Sequence, residues 1–160
     1  MNAFEYRRNA LYAEGVPVAR LAEKYGTPLY IYSRNHFRQQ YRALRTAMGN
    51  ANPLICYSVK ANTNAAVIRT FIDEGSGLDV VSGGELYRSI RAGADPSKIV
   101  FAGVGKTRDE IEYAISKNIL FFTVESEPEA ARISDCAKKL KRKARVAFRV
   151  NPDVDPKTHK

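Results

Sequence analysis

The sequence predicts an α/β fold: an incomplete (β/α)₈ barrel of the TIM type, with about five of its eight strand-helix units behind an N-terminal lead-in strand and helix. Three observations lead to this prediction. Short apolar runs alternate with stretches whose apolar residues lie three or four apart, as in repeated βαβ units. The runs are almost continuously apolar, which is typical of parallel strands buried on both faces. Each unit takes roughly twenty residues, so this chain is too short for the ~250 residues of a complete barrel.

The segment before the first barrel strand has its own pattern. We expect a short helix over Val18–Tyr25 that ends at Gly26, and a strand over Leu29–Tyr32. A longer helix over Arg34–Met48 begins after Ser33. The strand lies outside the regular repeat, so we expect it to pair with another domain.

The repeat itself predicts five strands and four helices. The strands are Leu54–Val59, Leu78–Val81, Ile99–Ala102, Leu120–Val124 and Val146–Val150. The helices between them are Asn64–Glu74, Gly84–Ala92, Arg108–Lys117 and Glu127–Leu140. Gly75, Gly77 and Gly93 stand where helices should end, and Thr107 and Ser126 are expected N-caps.

A doubly wound open sheet is the structural alternative. Its first strand-to-helix turn would carry the pattern G-x-G-x-x-G, which binds the pyrophosphate of a dinucleotide. The corresponding turn here, Lys60–Asn64, contains no glycine. The sequence therefore favours the barrel.

Composition fits one folded domain, because 44% of the residues are hydrophobic and 27% are charged. These values argue against disordered and collagen-like chains, and no apolar run reaches the ~18 residues of a membrane span. Charged residues also interrupt the first fifteen positions, where a secretory signal would be apolar. We expect a cytoplasmic protein without membrane contact.

The net charge of +9 is concentrated late in the chain. Seven basic residues and one acid lie between Arg132 and Arg145, at the end of the last predicted helix. The apolar stripe of that helix is expected to comprise Ala131, Ile133, Ala137 and Leu140. We interpret the basic run as a solvated helix end, with a phosphate-binding patch as the alternative. The run lacks the aromatic residues of single-strand binders, so no nucleic-acid partner is expected.

The two cysteines, Cys56 and Cys136, lie in separate apolar contexts. They have no C-x-x-C spacing and no neighbouring histidine, so neither a disulfide framework nor a structural metal site is indicated. We expect two buried thiols and no metal.

Active groups of a barrel stand at the carboxyl ends of its strands, which makes strand-end residues the first candidates. Lys60 closes the first strand, where burial would lower its pKa and make its amine a nucleophile. Asp79 lies within the second strand and Glu85 begins the next helix, while Arg149 ends the fifth strand. The alternatives are a solvent-reaching Lys60, a Glu85 that stabilises a helix N-terminus and an Arg149 in an ion pair at the rim.

Several ordered motifs carry a family resemblance. Tyr57–Asn62, Leu78–Leu86 and Arg149–Asp153 resemble the N-terminal portion of the diaminopimelate decarboxylase family, which are fold-type III pyridoxal-phosphate enzymes. Gly26–Tyr32 resembles the lead-in strand of that family, and Phe101–Lys106 resembles the end of its third strand. The resemblance covers nearly the whole chain.

The resemblance implies that Lys60 forms a Schiff base with pyridoxal 5'-phosphate and is the catalytic lysine. It implies that Asp79, Glu85 and, as a weaker candidate, Ser82 shape the cofactor pocket, and that Arg149 lies beneath the cofactor ring. The implied reaction is decarboxylation of meso-2,6-diaminopimelate to L-lysine and CO₂ in a homodimer. Residues 1–33 would then pack on a C-terminal β-domain outside this chain, and residues 34–160 would form the N-terminal part of the pyridoxal-phosphate-binding barrel.

Two alternatives stay open at this point. Ornithine and arginine decarboxylases share the fold type, although the residue sequences of Ser82–Glu85 and Asn151–Asp155 favour the diaminopimelate branch. A non-catalytic cofactor-binding or interaction module is the other. The later barrel strands and the β-domain of the family have no counterpart in the sequence, so we expect this chain alone to be inactive, and we expect no catalytic role for His159.

Overall fold

The computed structural model describes residues 3–154, and the contacts within the chain divide it into two compact units. The first unit holds the residues up to Pro53 together with Asp73–Gly75. The second holds Leu54–Ile72 and the residues from Ser76 onward. His159 and Asp155, which the sequence analysis named, lie outside the described residues.

The first unit begins with a small antiparallel sheet that the sequence did not predict. Its strands, in spatial order, are β1 (Phe4–Arg7), β2 (Ala10–Ala13) and β3 (Val16–Pro17). Two-residue turns join them, and all four turn residues have positive φ: Arg8, Asn9, Glu14 and Gly15. Such turns match the right-handed twist of the strands they connect. The Glu14-Gly15 pair was the visible signal for one of these hairpins.

Two helices complete this unit as predicted. Helix α1 (Val18–Tyr25) ends at Gly26, whose φ is 79°. Helix α2 (Arg34–Ala47) begins after Ser33, whose Oγ accepts the N–H of His36 at 3.0 Å. A 3₁₀ turn over Gly49–Ala51 follows it.

The predicted lead-in strand over Leu29–Tyr32 is wrong for the described chain. These residues follow a cis Thr27–Pro28 bond and form no strand. A strand is defined by the ladder it makes with a neighbour, and no partner for this segment lies among residues 3–154.

Helix α2 makes ion pairs with the segment Asp73–Gly75, which belongs to the same unit. Arg34 pairs with Asp73 at 3.0 Å, and Arg38 and Arg42 each lie 2.6 Å from an oxygen of Glu74. Hydrogen bonds from Arg42 and Arg38 lower the pKa of Glu74 to about 2. The arginine-rich face of α2 is therefore structural.

The second unit contains the predicted parallel sheet. Its strands lie in chain order, and each pairs with the next in parallel: β4 (Cys56–Ser58), β5 (Gly77–Val80), β6 (Ile99–Phe101), β7 (Phe121–Val124) and β8 (Val146–Phe148). The helices between them are α3 (Ala65–Asp73), α4 (Gly83–Arg91), α5 (Arg108–Lys117) and α6 (Glu127–Lys139). This confirms the predicted strand-helix order of the barrel class.

The core lies on one face of this sheet. Leu78, Val80, Ile99, Phe101, Phe122 and Val124 are almost fully buried against apolar side chains of the helices, including Leu86, Ile111 and Ile133. The opposite face carries Ser58, Asp79, Val100 and Phe121, which lie in one register row and are half-buried. Within residues 3–154 the helices cover one face of the sheet, so the prediction that both faces are buried is wrong for the described part of the chain.

The predicted boundaries hold where local chemistry sets them. Thr107 and Ser126 are N-caps, and Gly75 and Gly93 both have φ of 89° just past helix ends. Gly77 is different, because it lies inside β5 rather than at a helix end. A Cβ there would stand 2.6 Å from the carbonyl oxygen of Lys98, so the close approach of the chains requires glycine.

Helix α6 buries a different stripe from the predicted one. Ile133 and Ala137 are buried as expected, but Ala131 is exposed and Cys136 takes its place in the core. Of the two expected buried thiols, Cys136 is buried and Cys56 is half-buried. Residues two positions apart lie on roughly opposite sides of an α-helix. Ala131 therefore faces solvent while Ile133 faces the core.

The basic run after α6 serves in part as a helix cap. The Nη1 of Arg142 donates to the carbonyl oxygens of Ile115 and Ser116 at 3.2 and 2.9 Å. These carbonyls belong to the last turn of α5, where the carbonyl of Ile115 also accepts the N–H of Asn118 at 3.0 Å. Lys139 pairs with Glu112 at 2.7 Å. The interpretation as a helix end is consistent with these contacts.

Candidate active site at the carboxyl edge of the parallel sheet

Lys60 lies at the carboxyl end of β4 and is exposed. The strand ends at Ser58, and a 3₁₀ turn over Val59–Ala61 buries Val59 completely while directing Lys60 to the surface. Of the two interpretations of its position, the solvent-reaching Lys60 agrees with the structure and the buried amine does not. Within residues 3–154 its amine makes no hydrogen bond or ion pair, so the nitrogen is available to another molecule.

Asp79 stands in the neighbouring strand, in register with Ser58. The Oγ of Ser58 donates to Oδ2 of Asp79 at 3.1 Å, while Oδ1 is buried and has no hydrogen-bond partner in the described part of the chain. Burial, with a contribution from the charge of Asp79, raises the pKa of the nearby Cys56 thiol. A buried carboxylate oxygen without a donor is costly, which marks this position as unusual.

Ser82 and Glu85 form the start of α4. The Oγ of Ser82 accepts the N–H of Glu85 at 3.2 Å, and Oε2 of Glu85 accepts the N–H of Val81 at 2.9 Å. Stabilisation of the helix N-terminus, the alternative for Glu85, thus accounts for one of its carboxylate oxygens. Within residues 3–154 the hydroxyl proton of Ser82 and the second oxygen of Glu85 have no further partner.

Arg149 follows β8 directly and points to the same edge of the sheet. Its backbone N–H donates to the carbonyl of Val124 at 2.9 Å, and its Nη1 lies 3.1 Å from Oε2 of Glu125. The ion pair at the rim, which was the alternative for Arg149, is present. Glu125 was missed in the sequence, although it follows β7 as Arg149 follows β8.

A second lysine at this edge was also missed. Lys106 is 3% exposed, and its Nζ lies 2.7 Å from Oε1 of Glu129, which is 5% exposed. Nothing in the local sequence distinguishes it from a surface lysine. Its burial depends on oxygens that three separate segments bring together.

Glu110 links the starts of two helices. Its Oε2 accepts the N–H of Thr107 at 2.9 Å, and its Oε1 accepts the N–H of Gly83, the first residue of the preceding helix α4, at 2.7 Å. Burial opposes ionisation of this carboxyl, but the hydrogen bonds from Gly83 and Thr107 outweigh it and lower the pKa. The helix starts that frame the candidate site are therefore connected to one another.

Two kinds of feature are absent from the described residues. None of the helices within residues 3–154 has the length and apolar character needed to cross a bilayer. The same residues contain no group of three or more His, Cys, Asp or Glu side chains placed to hold a metal ion.

Comparison with known proteins agrees with the predicted resemblance. Residues 34–160 match the family described as pyridoxal-dependent decarboxylase, pyridoxal binding domain. The chain is 48% identical to the diaminopimelate decarboxylase of Pseudomonas aeruginosa over 99% of its own length and 38% of that relative. It is 50% identical to the diaminopimelate decarboxylase of Aquifex aeolicus over 97% of its length and 36% of that relative.

The fold has a solved counterpart. The crystal structure of diaminopimelate decarboxylase from M. jannaschii in complex with L-lysine superposes with a TM-score of 0.90 and 39% identity, over 99% of this chain and 38% of that one. The predicted fold class and family resemblance are thereby confirmed. The chain spans little more than a third of the length of these relatives.

Proposed function

Because the chain belongs to the pyridoxal-dependent decarboxylase family through its pyridoxal binding domain, we propose that it supplies part of the active site of a diaminopimelate decarboxylase. The proposed reaction converts meso-2,6-diaminopimelate to L-lysine and CO₂. The family indicates the cofactor, pyridoxal phosphate. The substrate is proposed from relatives that carry this name at 48% and 50% identity, and from the relative that was solved with L-lysine.

The observation that carries the proposal is that, among the described residues, Oδ1 of Asp79 is buried without a hydrogen-bond partner on the strand next to the one that Lys60 follows, and that the amine of Lys60 is free. An amine without a partner can capture an aldehyde. A buried carboxylate oxygen requires a proton donor or a positive charge. Pyridoxal phosphate offers an aldehyde and a protonated nitrogen, so the residues present fit this group.

Each predicted site residue then has a proposed task. Lys60 holds the cofactor through Nζ, and Asp79 provides negative charge within the open face of the sheet. Glu85 presents its free oxygen from a helix start that Ser82 caps. Glu125 holds the guanidinium of Arg149 at the rim. The cofactor, when bound, supplies the electron sink that takes up the electron pair released as CO₂ leaves.

The lead-in segment has a separate proposed role. We propose that residues 1–33 pack on a β-domain of the complete enzyme, which acts as a cytoplasmic homodimer. The family match begins at residue 34. Tyr30 and Tyr32 are 83% and 54% exposed on a segment that forms no strand in the described chain, which supports docking of another domain there.

The role of Lys60 is tested by trapping the cofactor on the protein expressed from its complete reading frame. We expect borohydride reduction after addition of limiting pyridoxal phosphate to leave a phosphopyridoxyl group on Lys60, located by peptide mass spectrometry. Lys60→Ala should lose this label and all decarboxylase activity. Lys98→Ala is the matched control, since Lys98 is also exposed but precedes β6 at the opposite edge of the sheet.

Two results would contradict the proposal. Equal labelling of Lys60 and Lys98 would mean that the amine of Lys60 is only one of several reactive surface amines. Release of CO₂ from ornithine or arginine, without release from meso-diaminopimelate, would assign the protein to another branch of the same fold type.

A further inference from the structure

Lys106 is a buried cation outside the set of predicted cofactor residues. Its Nζ donates to the carbonyl of Gly103 at 2.6 Å, to the carbonyl of Thr123 at 2.8 Å and to Oε1 of Glu129 at 2.7 Å. An ammonium group has three protons. All three are used, so this lysine is not available as a nucleophile and its role is to hold the oxygens together.

The three oxygens come from three segments. Gly103 belongs to the loop after β6, Thr123 to β7, and Glu129 to the first turn of α6. The ladder between β6 and β7 ends at the pair Phe101 and Phe122, so the carbonyl of Thr123 lies beyond the last paired residues. Lys106 supplies the donor that β6 no longer provides.

Helix α6 holds this loop at two points. Oε2 of Glu129 is fixed by the N–H of Glu125 at 2.8 Å, which leaves Oε1 for Lys106. Three residues further along, Nη1 of Arg132 donates to the backbone carbonyl of Lys106 at 3.2 Å. Both ends of Lys106, side chain and main chain, are therefore bound to one face of α6.

A contact connects this loop to the candidate site. Gly103 has φ of 94°, and the N–H of Ala102 just before it donates to the carbonyl of Val80, the last residue of β5, at 2.9 Å. The N–H of Val81 is the group that Glu85 accepts, and Ser82 is the next residue. The position of Gly103 thus bears directly on the end of β5.

We propose that Lys106 and Glu129 form a buried latch that positions the carboxyl end of β5, and with it Ser82 and Glu85, through the hydrogen bond from the N–H of Ala102 to the carbonyl of Val80. Both are positioning residues, because neither belongs to the set that would touch the cofactor. The inference rests on the proposed function only where it assigns Ser82 and Glu85 to that set. The mechanical coupling from α6 to β5 is independent of it.

Amide hydrogen exchange of the protein expressed from its complete reading frame tests the coupling. In Lys106→Met we expect exchange at residues 81–85 to speed up about tenfold more than exchange within α3, which reports only the general loss of stability. Lys139→Met is the matched control. Lys139 lies on α6, the helix that carries Glu129. It pairs with Glu112 at 2.7 Å, the distance of the Lys106–Glu129 pair, but its side chain is 68% exposed. Its exchange pattern at residues 81–85 should equal that of the wild type.

A second variant and a second measurement keep the test decisive. Glu129→Gln preserves the shape of the side chain and one acceptor oxygen, so it replaces Lys106→Met if that variant does not fold. In either variant we expect pyridoxal phosphate to bind about tenfold more weakly, with Lys60 still the labelled residue. Weaker binding in Lys139→Met as well would indicate a general loss of stability instead and would overturn the latch.

The two proposals fail separately. Wild-type exchange at residues 81–85 in a variant whose loop 102–107 exchanges faster would overturn the latch and leave the proposed function untouched. Absence of cofactor labelling on Lys60 in the wild type would overturn the proposed function, while the exchange data would still decide the coupling.

Discussion

Two neighbouring strand pairs of the parallel sheet carry the same arrangement of lysine and glutamate. Lys60 follows β4, and Glu85 lies in the first turn of the helix after β5; Lys106 follows β6, and Glu129 lies in the first turn of the helix after β7. In both helices a serine caps the N–H of the glutamate. In both, one glutamate oxygen accepts the N–H of the residue before that serine, at 2.9 and 2.8 Å.

The two lysines nevertheless have opposite environments. Lys60 comes two residues after the end of β4, in a turn too short to fold back, and its amine is exposed. Lys106 comes five residues after the end of β6, and the loop turns through Gly103 at φ of 94° to bury its amine. The longer loop therefore buries Lys106 at the sheet edge, whereas the shorter one leaves the amine of Lys60 exposed.

The largest expected difference between the two lysines concerns stability. Lys106→Met leaves the carboxylate of Glu129 buried without its cation, which should lower the free energy of unfolding by about 3–5 kcal/mol. Lys60→Met removes an exposed amine without a partner and should change it by less than about 0.5 kcal/mol. Denaturant unfolding followed by circular dichroism checks both variants. Equal losses in the free energy of unfolding would contradict the assignment of a structural role to Lys106 alone.

Much of this fold was predictable because its determinants are local. Apolar runs mark the five strands, and the residues that end or begin the helices, such as Gly93, Thr107 and Ser126, act within one turn of their own position. Helix α5 has the predicted bounds, Arg108–Lys117. Local chemistry of this kind can be recognised without knowledge of the neighbouring segments.

The errors concern features that depend on distant segments. Leu29–Tyr32 has the composition of a strand but no partner among the described residues, and composition alone makes no ladder. For Lys60 the sequence left a buried and a solvent-reaching side chain both open, because the direction of a turn decides its exposure. The burial of Lys106 depends on oxygens from the loop after β6, from β7 and from α6, which no local pattern reveals. Burial of a charged group in this chain is a tertiary property.

In the strand pair β4 and β5, a substitution at Asp79 is expected to raise the free energy of unfolding rather than lower it. Asp79→Asn replaces a buried, unpartnered carboxylate oxygen with an uncharged group that costs less to bury, and its carbonyl can still accept from Ser58. We expect the cofactor-free protein to gain about 1 kcal/mol in stability. Affinity for pyridoxal phosphate should fall at the same time, because the negative charge is lost. Differential scanning calorimetry and a cofactor titration measure the two effects.

Loss of stability in Asp79→Asn would contradict this interpretation. It would mean that other groups of the folded chain already stabilise the buried carboxylate of Asp79, so that it needs no ligand for this. Ser58→Ala is the informative companion variant, since it removes the one hydrogen bond that Asp79 makes within the described residues.

The smallest effect tests whether the two strand pairs share their local chemistry. Ser82→Ala and Ser126→Ala each remove an oxygen that accepts the N–H of the glutamate three residues later, at 3.2 and 3.4 Å. Each should cost about 1 kcal/mol, the usual value of an N-cap, and the two costs should agree within about 0.5 kcal/mol in matched unfolding curves. Only Ser82→Ala should also weaken cofactor binding. Ser82 caps Glu85, whose second oxygen is free for the cofactor, whereas Ser126 caps Glu129, whose second oxygen already accepts from Lys106. A cost confined to one serine would show that the helix starts differ before any cofactor binds, and that the lysines are not the sole origin of the difference.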